Sequence, residues 1–408
     1  MSETVTSTTA AGADRPIVPY KALWAVLLMG WVVSYADRTV TGPVIAWMIS
    51  NEAGFIGDAA NPATLGGLVG TMFFTGYMLT QYAGGRLGDT YGHREMVVVS
   101  LLWAGIMTAV SGVVTGLIAF VAARVLTGLG EGVFYSNDRT LVFTHTPPPK
   151  RTLGLGVVIA GLSIGLTIGI VATPYLIDWG VDLGMGGHAW GLPFYVFAAL
   201  SIVVAAAAYS FFRSRLGGAL KLGPPFLKLV VYSAPTFVAI LAIFVLAENF
   251  EWKEWVTAIV IGVLALAYIV VIIRGVAKTG RSETLLSRDV WLVYIAYIAI
   301  LYNLWFFSFW SVQIVREAAD SSLVAAGLTA AFNAGAGILG FPVGGWLSDV
   351  AVRAGIGRKP LLIGFTSAQF VLTLIFGFVV AAGIMIVSFF LYLMVKEAPA
   401  HHEDPVPA

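Results

Sequence analysis

The sequence predicts an all-α polytopic membrane protein that crosses the bilayer about twelve times, and three observations carry that prediction. Of its 408 residues, 58% are apolar and only 11% are charged, with a mean hydropathy of +0.87, whereas soluble domains carry about 25% charged residues. Apolar runs of about 20 residues recur from Leu23 to Val395, each long enough to cross a hydrocarbon core of roughly 30 Å. Stretches such as Val157 to Val171 and Trp255 to Ile273 also lack the alternation that a transmembrane β-strand of about 10 residues requires.

Charged residues, prolines and glycines divide the apolar sequence into spans near 22–48, 65–84, 96–112, 117–138, 153–177, 191–212, 229–247, 255–273, 290–315 and 323–347. Residues 1–18 are polar and Ala/Thr-rich, without the apolar stretch and cleavage site of a secretory leader, so they predict a tail before a retained first span. A glycine-rich turn and His93-Arg94 close the second span. Asn137-Asp138-Arg139 reads as the end of the fourth, and Pro147 to Gly156 leads into the fifth. Trp190 to Phe197 opens the sixth, the acidic turn Glu248 to Glu254 separates the seventh from the eighth, and Asp289 begins the ninth. The last block, Leu361 to Val395, has 35 residues. Two short spans there give twelve, and one span with a long continuation gives eleven.

Orientation follows from the basic residues, because positively charged loops stay in the cytoplasm. With the N-terminus inside, 19 of the 23 Lys and Arg residues are cytoplasmic, Lys253 and Arg316 are outside, and Arg38 and Arg124 remain within spans. Twelve spans then put both termini in the cytoplasm of a multi-pass protein of the cell membrane. Cysteines introduced near Gly57 or Asp182 of this Cys-free chain are expected to react with an impermeant thiol reagent from outside, and cysteines near His93 or Thr279 are not. The opposite labelling pattern inverts the orientation. A net charge of +1 predicts no nucleic acid or other polyanionic partner, and zero cysteines exclude disulfides and thiolate metal sites. No nucleotide-binding loop, metal cluster or nucleophile constellation points to an enzyme, a cofactor or a metal.

One internal repeat stands out. Gly84-Gly85-Arg86-Leu87-Gly88-Asp89 is echoed by Gly344-Gly345-Trp346-Leu347-Ser348-Asp349, and each copy ends a span before a basic turn. Gly85, Asp89, Gly92 and Arg94, with Gly345, Asp349 and Arg358, resemble the G-x-L-x-D-x-x-G-[RH]-[RK] loop of the major facilitator superfamily. That resemblance implies gating and packing roles. Tyr35-Ala36-Asp37-Arg38 resembles the N-Y-x-D-R segment of the anion:cation symporters, with Ser34 in place of the usual Asn, and Arg124 to Glu131 is similar to that family's R-x-L-x-G-x-x-E. The resemblance covers roughly residues 20–215 and 288–365, and it implies transport of a small organic anion, such as a sugar acid, driven by protons or sodium.

The chain departs from the family pattern in its second half. The repeat copies lie 260 residues apart, about 60 more than a six-plus-six arrangement needs, so 229–246 and 255–273 read as an inserted pair packed outside the transport bundles. After the second copy only Leu361 to Val395 follows. Either the second bundle is incomplete or a deletion joins distant segments between Phe376 and Gly383. The expected organisation is a tail at 1–18, a six-helix bundle at 19–215, linkers flanking two inserted helices at 216–287, a shortened bundle at 288–396 and a cytoplasmic tail at 397–408.

Asp37, Arg38, Arg124 and Glu131 are the charges that this reading puts deep in spans, each costing about 2.5–3.5 kcal/mol unless paired or solvated. Adjacent residues diverge by about 100° on a helix, so Asp37 and Arg38 point apart; Arg124 and Glu131 share a face but stand roughly 10 Å apart along the axis. Pairing between the first and fourth spans, around a water-filled cavity, satisfies all four. Their charges sum to zero, so adding a proton leaves one positive charge to attract an anion. By resemblance, Arg38 is the carboxylate ligand, Tyr35 lines the cavity, Asp37 and Glu131 are proton sites, and Arg124 is the partner that resets the pair. Tyr302, Asn303 and Trp310, on the ninth span, are further candidates for substrate contact. A non-transporting sensor or scaffold, and a facilitator or exporter of another solute, are the alternative readings.

Overall fold

The computed structural model describes residues 19–57, 61–277 and 287–375, and among these it contains helices and turns but no strand. Eleven long helices run in order: α1 (Tyr20–Ser50), α2 (Pro62–Tyr91), α3 (His93–Val113), α4 (Leu117–His145), α5 (Arg151–Asp182), α6 (Leu192–Arg215), α7 (Gly223–Asn249), α8 (Glu254–Ala277), α9 (Arg288–Ala319), α10 (Leu323–Arg353) and α11 (Lys359–Ile375). The predicted tails, the loop residues 278–286 and the remainder of the last apolar block, 376–395, lie outside the described residues. The choice between eleven and twelve spans falls on that block.

Eight of these helices, α3 to α10, are long and apolar enough to cross a membrane by length and composition. The other two long ones in the first half, α1 and α2, carry Asp37 and Arg38 or a run of Gly and Thr residues, and are packed among them. Helix ends follow local chemistry. Proline occupies the first turn of α2 and α6, where its missing N–H is no loss. Gly92 takes a φ of +107° in the sharp turn between α2 and α3, a conformation closed to most side chains. Ser287 and Ser322 accept hydrogen bonds from the N–H groups of Val290 and Ala325 to cap α9 and α10.

Small residues decide which helices approach closely. A Cβ on Gly161, Gly165 or Gly169 of α5 would run into the backbone of α1, and one on Gly128 or Gly132 of α4 would meet that of α2. Removing those side chains lets backbones pack at short range, the association mode available where lipid supplies no hydrophobic drive. On its other side α5 meets α10, where Gly327, Gly337 and Gly345 face Ile170, Ser163 and Thr152. A core of Trp31, Tyr35, Leu162 and Leu166 continues into Val312, Ala326 and Ala330, which joins the first half to α9 and α10.

Helices α7 and α8, the pair that reads as inserted in the sequence, use narrow stripes. Leu229, Ser233, Ile240, Phe244 and Ala247 of α7 are buried, at spacings of one helical face, and α7 packs on α2, α3 and α4 while α8 packs on α2 and α7. Val231, Val238, Val263 and Leu266 are exposed, as suits helices facing hydrocarbon.

Candidate functional site

Helices α1 and α4 bring the four predicted intramembrane charges together as two crossed pairs. Arg38 donates from Nη2 and Nε to one oxygen of Glu131, at 2.6 and 3.0 Å. Arg124 presents its fork to both oxygens of Asp37, at 3.2 and 3.4 Å. The crossing follows from helix geometry: neighbours on α1 diverge, so each reaches a different level of α4, whose two charges stand two turns apart. None of the four is more than 5% exposed.

Rings enclose the pairs. The guanidinium of Arg38 lies 4.3 Å from the ring centre of Tyr35 and 4.2 Å from that of Tyr77, with Trp305 at 5.4 Å and Phe73 at 5.6 Å. Arg124 lies over Phe73 and Phe194. Tyr35 of α1 stacks on Trp305 of α9 at 5.7 Å with 16° between planes, and Trp305 also meets Phe74 at 4.4 Å. This overturns the expectation of a water-filled cavity around the quartet: aromatic side chains shield it from solvent. Nη1 of Arg38 and Oε1 of Glu131 are buried without a hydrogen-bond partner among the described residues.

Of the candidates on α9, Tyr302 is 40% exposed and stacks on Phe306, whereas Asn303 is buried and Trp310 lies against Gly67 of α2. The ring that α9 brings to Arg38 belongs to Trp305. Every face of α9 carries aromatic or apolar residues, so no polarity pattern marks the inward side.

A further buried carboxylate, Asp138, escaped the sequence reading. Helix α4 does not end at Asn137-Asp138-Arg139 but continues to His145, which leaves Asp138 fully buried. Trp31 donates to it at 2.7 Å and Arg139 at 2.8 Å, and Arg139 also lies over Tyr135. The available signal was spacing: Arg124, Glu131 and Asp138 recur every seven residues along one face of α4. Asn137 donates to the carbonyls of Gly84 and Val133 and meets His93 at 2.8 Å. His188 likewise hydrogen-bonds the carbonyl of Gly112, at 2.7 Å.

The two repeat copies do different things. In the first, Gly84 and Gly88 make the close approaches to Val133 and Asn137, while Gly85 makes ordinary contact with Ser136. Arg94 donates to the carbonyls of Leu216 and Gly217 just beyond α6, and Asp89 sits 3.6 Å from His93. In the second, Gly345 abuts the carbonyl of Thr152, and Asp349 accepts the N–H of Leu153 at 3.1 Å. A carboxylate there faces the positive end of α5. Arg358 lies exposed in the turn before α11. Between α4, α5 and α10, a cleft of about 360 Å³ is lined by Tyr135, Arg139, Thr152, Phe341 and Ser348.

Comparison with known proteins extends these observations. The chain is 30% identical over 187 residues to "Sodium-dependent phosphate transport protein 1, chloroplastic" of Arabidopsis thaliana, covering 44% of this chain and 33% of that protein. It is 26% identical over 341 residues to the 4-hydroxybenzoate transporter PcaK of Pseudomonas aeruginosa, covering 82% of this chain and 68% of the relative. The chain thus spans about a third of the length of the plant relatives it matches. These relatives are named as transporters, not enzymes. Among solved structures, the xylose transporter XylE from E. coli superposes with a TM-score of 0.52 at 14% identity, over 92% of this chain and 84% of that one. A structure of a proton dependent oligopeptide transporter gives 0.59 at 13%, over 92% and 82%. At such identities the likeness concerns the fold. The family model described as Major Facilitator Superfamily matches residues 27–398, and the chain belongs to that superfamily.

Proposed function

We propose that the protein is a secondary active transporter that carries a small organic anion, a sugar acid or related carboxylate, together with protons. The observation that carries this reading is the pair of buried, crossed ion pairs between α1 and α4. They hold two arginines and two carboxylates at zero net charge. Protonation of Glu131 removes the negative charge that holds Arg38, and a guanidinium loosened in this way binds a carboxylate bidentately. Proton and anion therefore favour each other's binding, as linkage requires. The pair of Arg124 and Asp37 repeats the arrangement one level away and resets the site after release.

In this reading Tyr35 lines the substrate path, Asn303 and Trp310 contribute from the second half, and the glycine-rich repeats gate the ends. The bundles are 19–215 and 288–396 with the inserted pair outside them, in a cell membrane with both termini cytoplasmic. The names of the relatives, which include phosphate and 4-hydroxybenzoate transporters, support an anionic substrate. The word "sodium" in one of them makes sodium the alternative coupling ion.

Uptake of anions into proteoliposomes, with and without an inward proton gradient, tests the proposal alongside binding measured from pH 5 to 8. Accumulation is expected to need the gradient, and binding to strengthen as pH falls. Arg38→Lys is expected to weaken binding about tenfold despite keeping its charge, because an ammonium cannot reproduce the fork. Glu131→Gln and Asp37→Asn are expected to bind anion and exchange it in counterflow, but not to accumulate it. Gradient-insensitive uptake eliminates proton symport in favour of uniport or sodium coupling. A protein that binds no anion is a sensor or scaffold.

A further inference from the structure

We infer that the cleft between α4, α5 and α10 is a second anion station, where Arg139 takes the carboxylate of a hydroxylated acid and Thr152 and Ser348 meet its hydroxyls. This rests on the transport reading above and adds to it a site outside the Arg38 and Arg124 pairs.

The cleft has the size and chemistry for such a guest. Its volume of about 360 Å³ falls among those of small-molecule sites, roughly 300–1,000 Å³. It opens where α4 and α5 of the first half meet α10 of the second. Among the described residues that line it, Arg139 is the charged side chain, and Thr152 and Ser348 bring hydroxyls. A hydroxyl both donates and accepts, so the two can replace water around the hydroxyls of a sugar acid.

Arg139 is built in place. Asp138, fully buried behind it, accepts its Nη1 at 2.8 Å and the indole N–H of Trp31 at 2.7 Å on the same oxygen. The other oxygen of Asp138 has no partner among the described residues. The pair therefore meets through one oxygen rather than fork to fork, which leaves the guanidinium an edge for a second carboxylate. The side chain of Arg139 is 18% exposed, while the rings of Tyr135 and Trp31 hold its face at 4.7 and 5.3 Å. An arginine fixed in this way loses little freedom on meeting a ligand. Because Asp138 already offsets its charge, it holds an anion weakly, as suits a station that must let go.

The place of the cleft gives the station its role. Arg139 follows Glu131 by eight residues on α4, about 12 Å toward the end assigned to the cytoplasm. Trp31 stands between the two levels, 5.1 Å from the ring of Tyr35 on one side and hydrogen-bonded to Asp138 on the other. An anion passing between Arg38 and the cytoplasm is handed past Trp31 and rests at Arg139.

Leu155→Cys puts a thiol in the wall of the cleft of this Cys-free chain, and its reaction with a maleimide is followed in detergent as gluconate is added. Gluconate is expected to slow the reaction, and sorbitol, which has the hydroxyls without the carboxylate, is not. Arg139→Gln is expected to raise the half-protecting concentration about tenfold. Asp138→Asn is expected to lower it about threefold, because the counter-charge is gone. Thr152→Val leaves the ion pair intact and is expected to raise it about threefold, which keeps the station testable if size exclusion shows that Arg139→Gln does not fold. Arg38→Lys is expected to leave protection within about twofold, as a change at a separate site does. Protection lost in Arg38→Lys but kept in Arg139→Gln and Thr152→Val overturns the station and leaves anion transport standing. Gluconate binding by calorimetry without any protection does the same. Neither binding nor protection overturns both readings.

Discussion

Arg124→Leu is expected to lower the stability of the detergent-solubilised protein by about 3–5 kcal/mol, the cost of leaving one member of a buried ion pair without the other. Asp37 would then sit at 2% exposure with no cation facing it, and Arg124 also fills the space over Phe73 and Phe194. The double variant Arg124→Leu, Asp37→Leu removes both charges and is expected to recover most of the loss, since an apolar pair of similar volume is tolerated where half of an ion pair is not. Thermal unfolding followed by tryptophan fluorescence measures all three proteins. A single variant as stable as the parent would show that water or another group satisfies Asp37.

Gly345→Leu is expected to reduce uptake at least about tenfold while leaving the folded protein intact, because it acts at a joint between helices rather than in a core. A Cβ at that position stands 2.9 Å from the carbonyl oxygen of Thr152, so α10 must move off the start of α5. The bond from the Leu153 N–H to Asp349 is lost with it. The end assigned to the cytoplasm is then held apart, and a cysteine at Leu155, which lines the adjacent cleft, is expected to label faster from that side. Unchanged labelling and uptake would place the moving contact elsewhere.

Membrane-length apolar runs leave the chain few alternatives, so the helices α1 to α10 lie close to the spans read from sequence. The crossed pairing of Asp37 and Arg38 with Arg124 and Glu131 was legible for a related reason: charges in hydrocarbon need partners, and helical divergence limits which can meet. Three features were not legible. Asn137-Asp138-Arg139 reads as a terminus because three polar residues in a row usually leave the membrane, yet Trp31 and Arg139 absorb the charge of Asp138 inside it. Trp305 rather than Tyr302 turns toward Arg38, and only packing against α1 and α2 fixes that rotation. The opposing uses of the two repeat copies depend on which helix end each carboxylate faces, Asp349 having the start of α5 and Asp89 having His93.

The glycine contacts of α10 on α5 also define a lever. They fall at Thr152, at Ser163 and at Ile170, so the middle one divides the line into arms of eleven and seven residues, about 16 and 10 Å long at 1.5 Å per residue. Gly337 resting on Ser163 is the fulcrum. A tilt of about 10° around it shifts the end of the longer arm by roughly 3 Å, about the diameter of a water molecule, and that of the shorter by about 2 Å in the opposite sense. Because glycine leaves no ridges to interlock along this line, the helices can tilt there without side chains having to climb over one another.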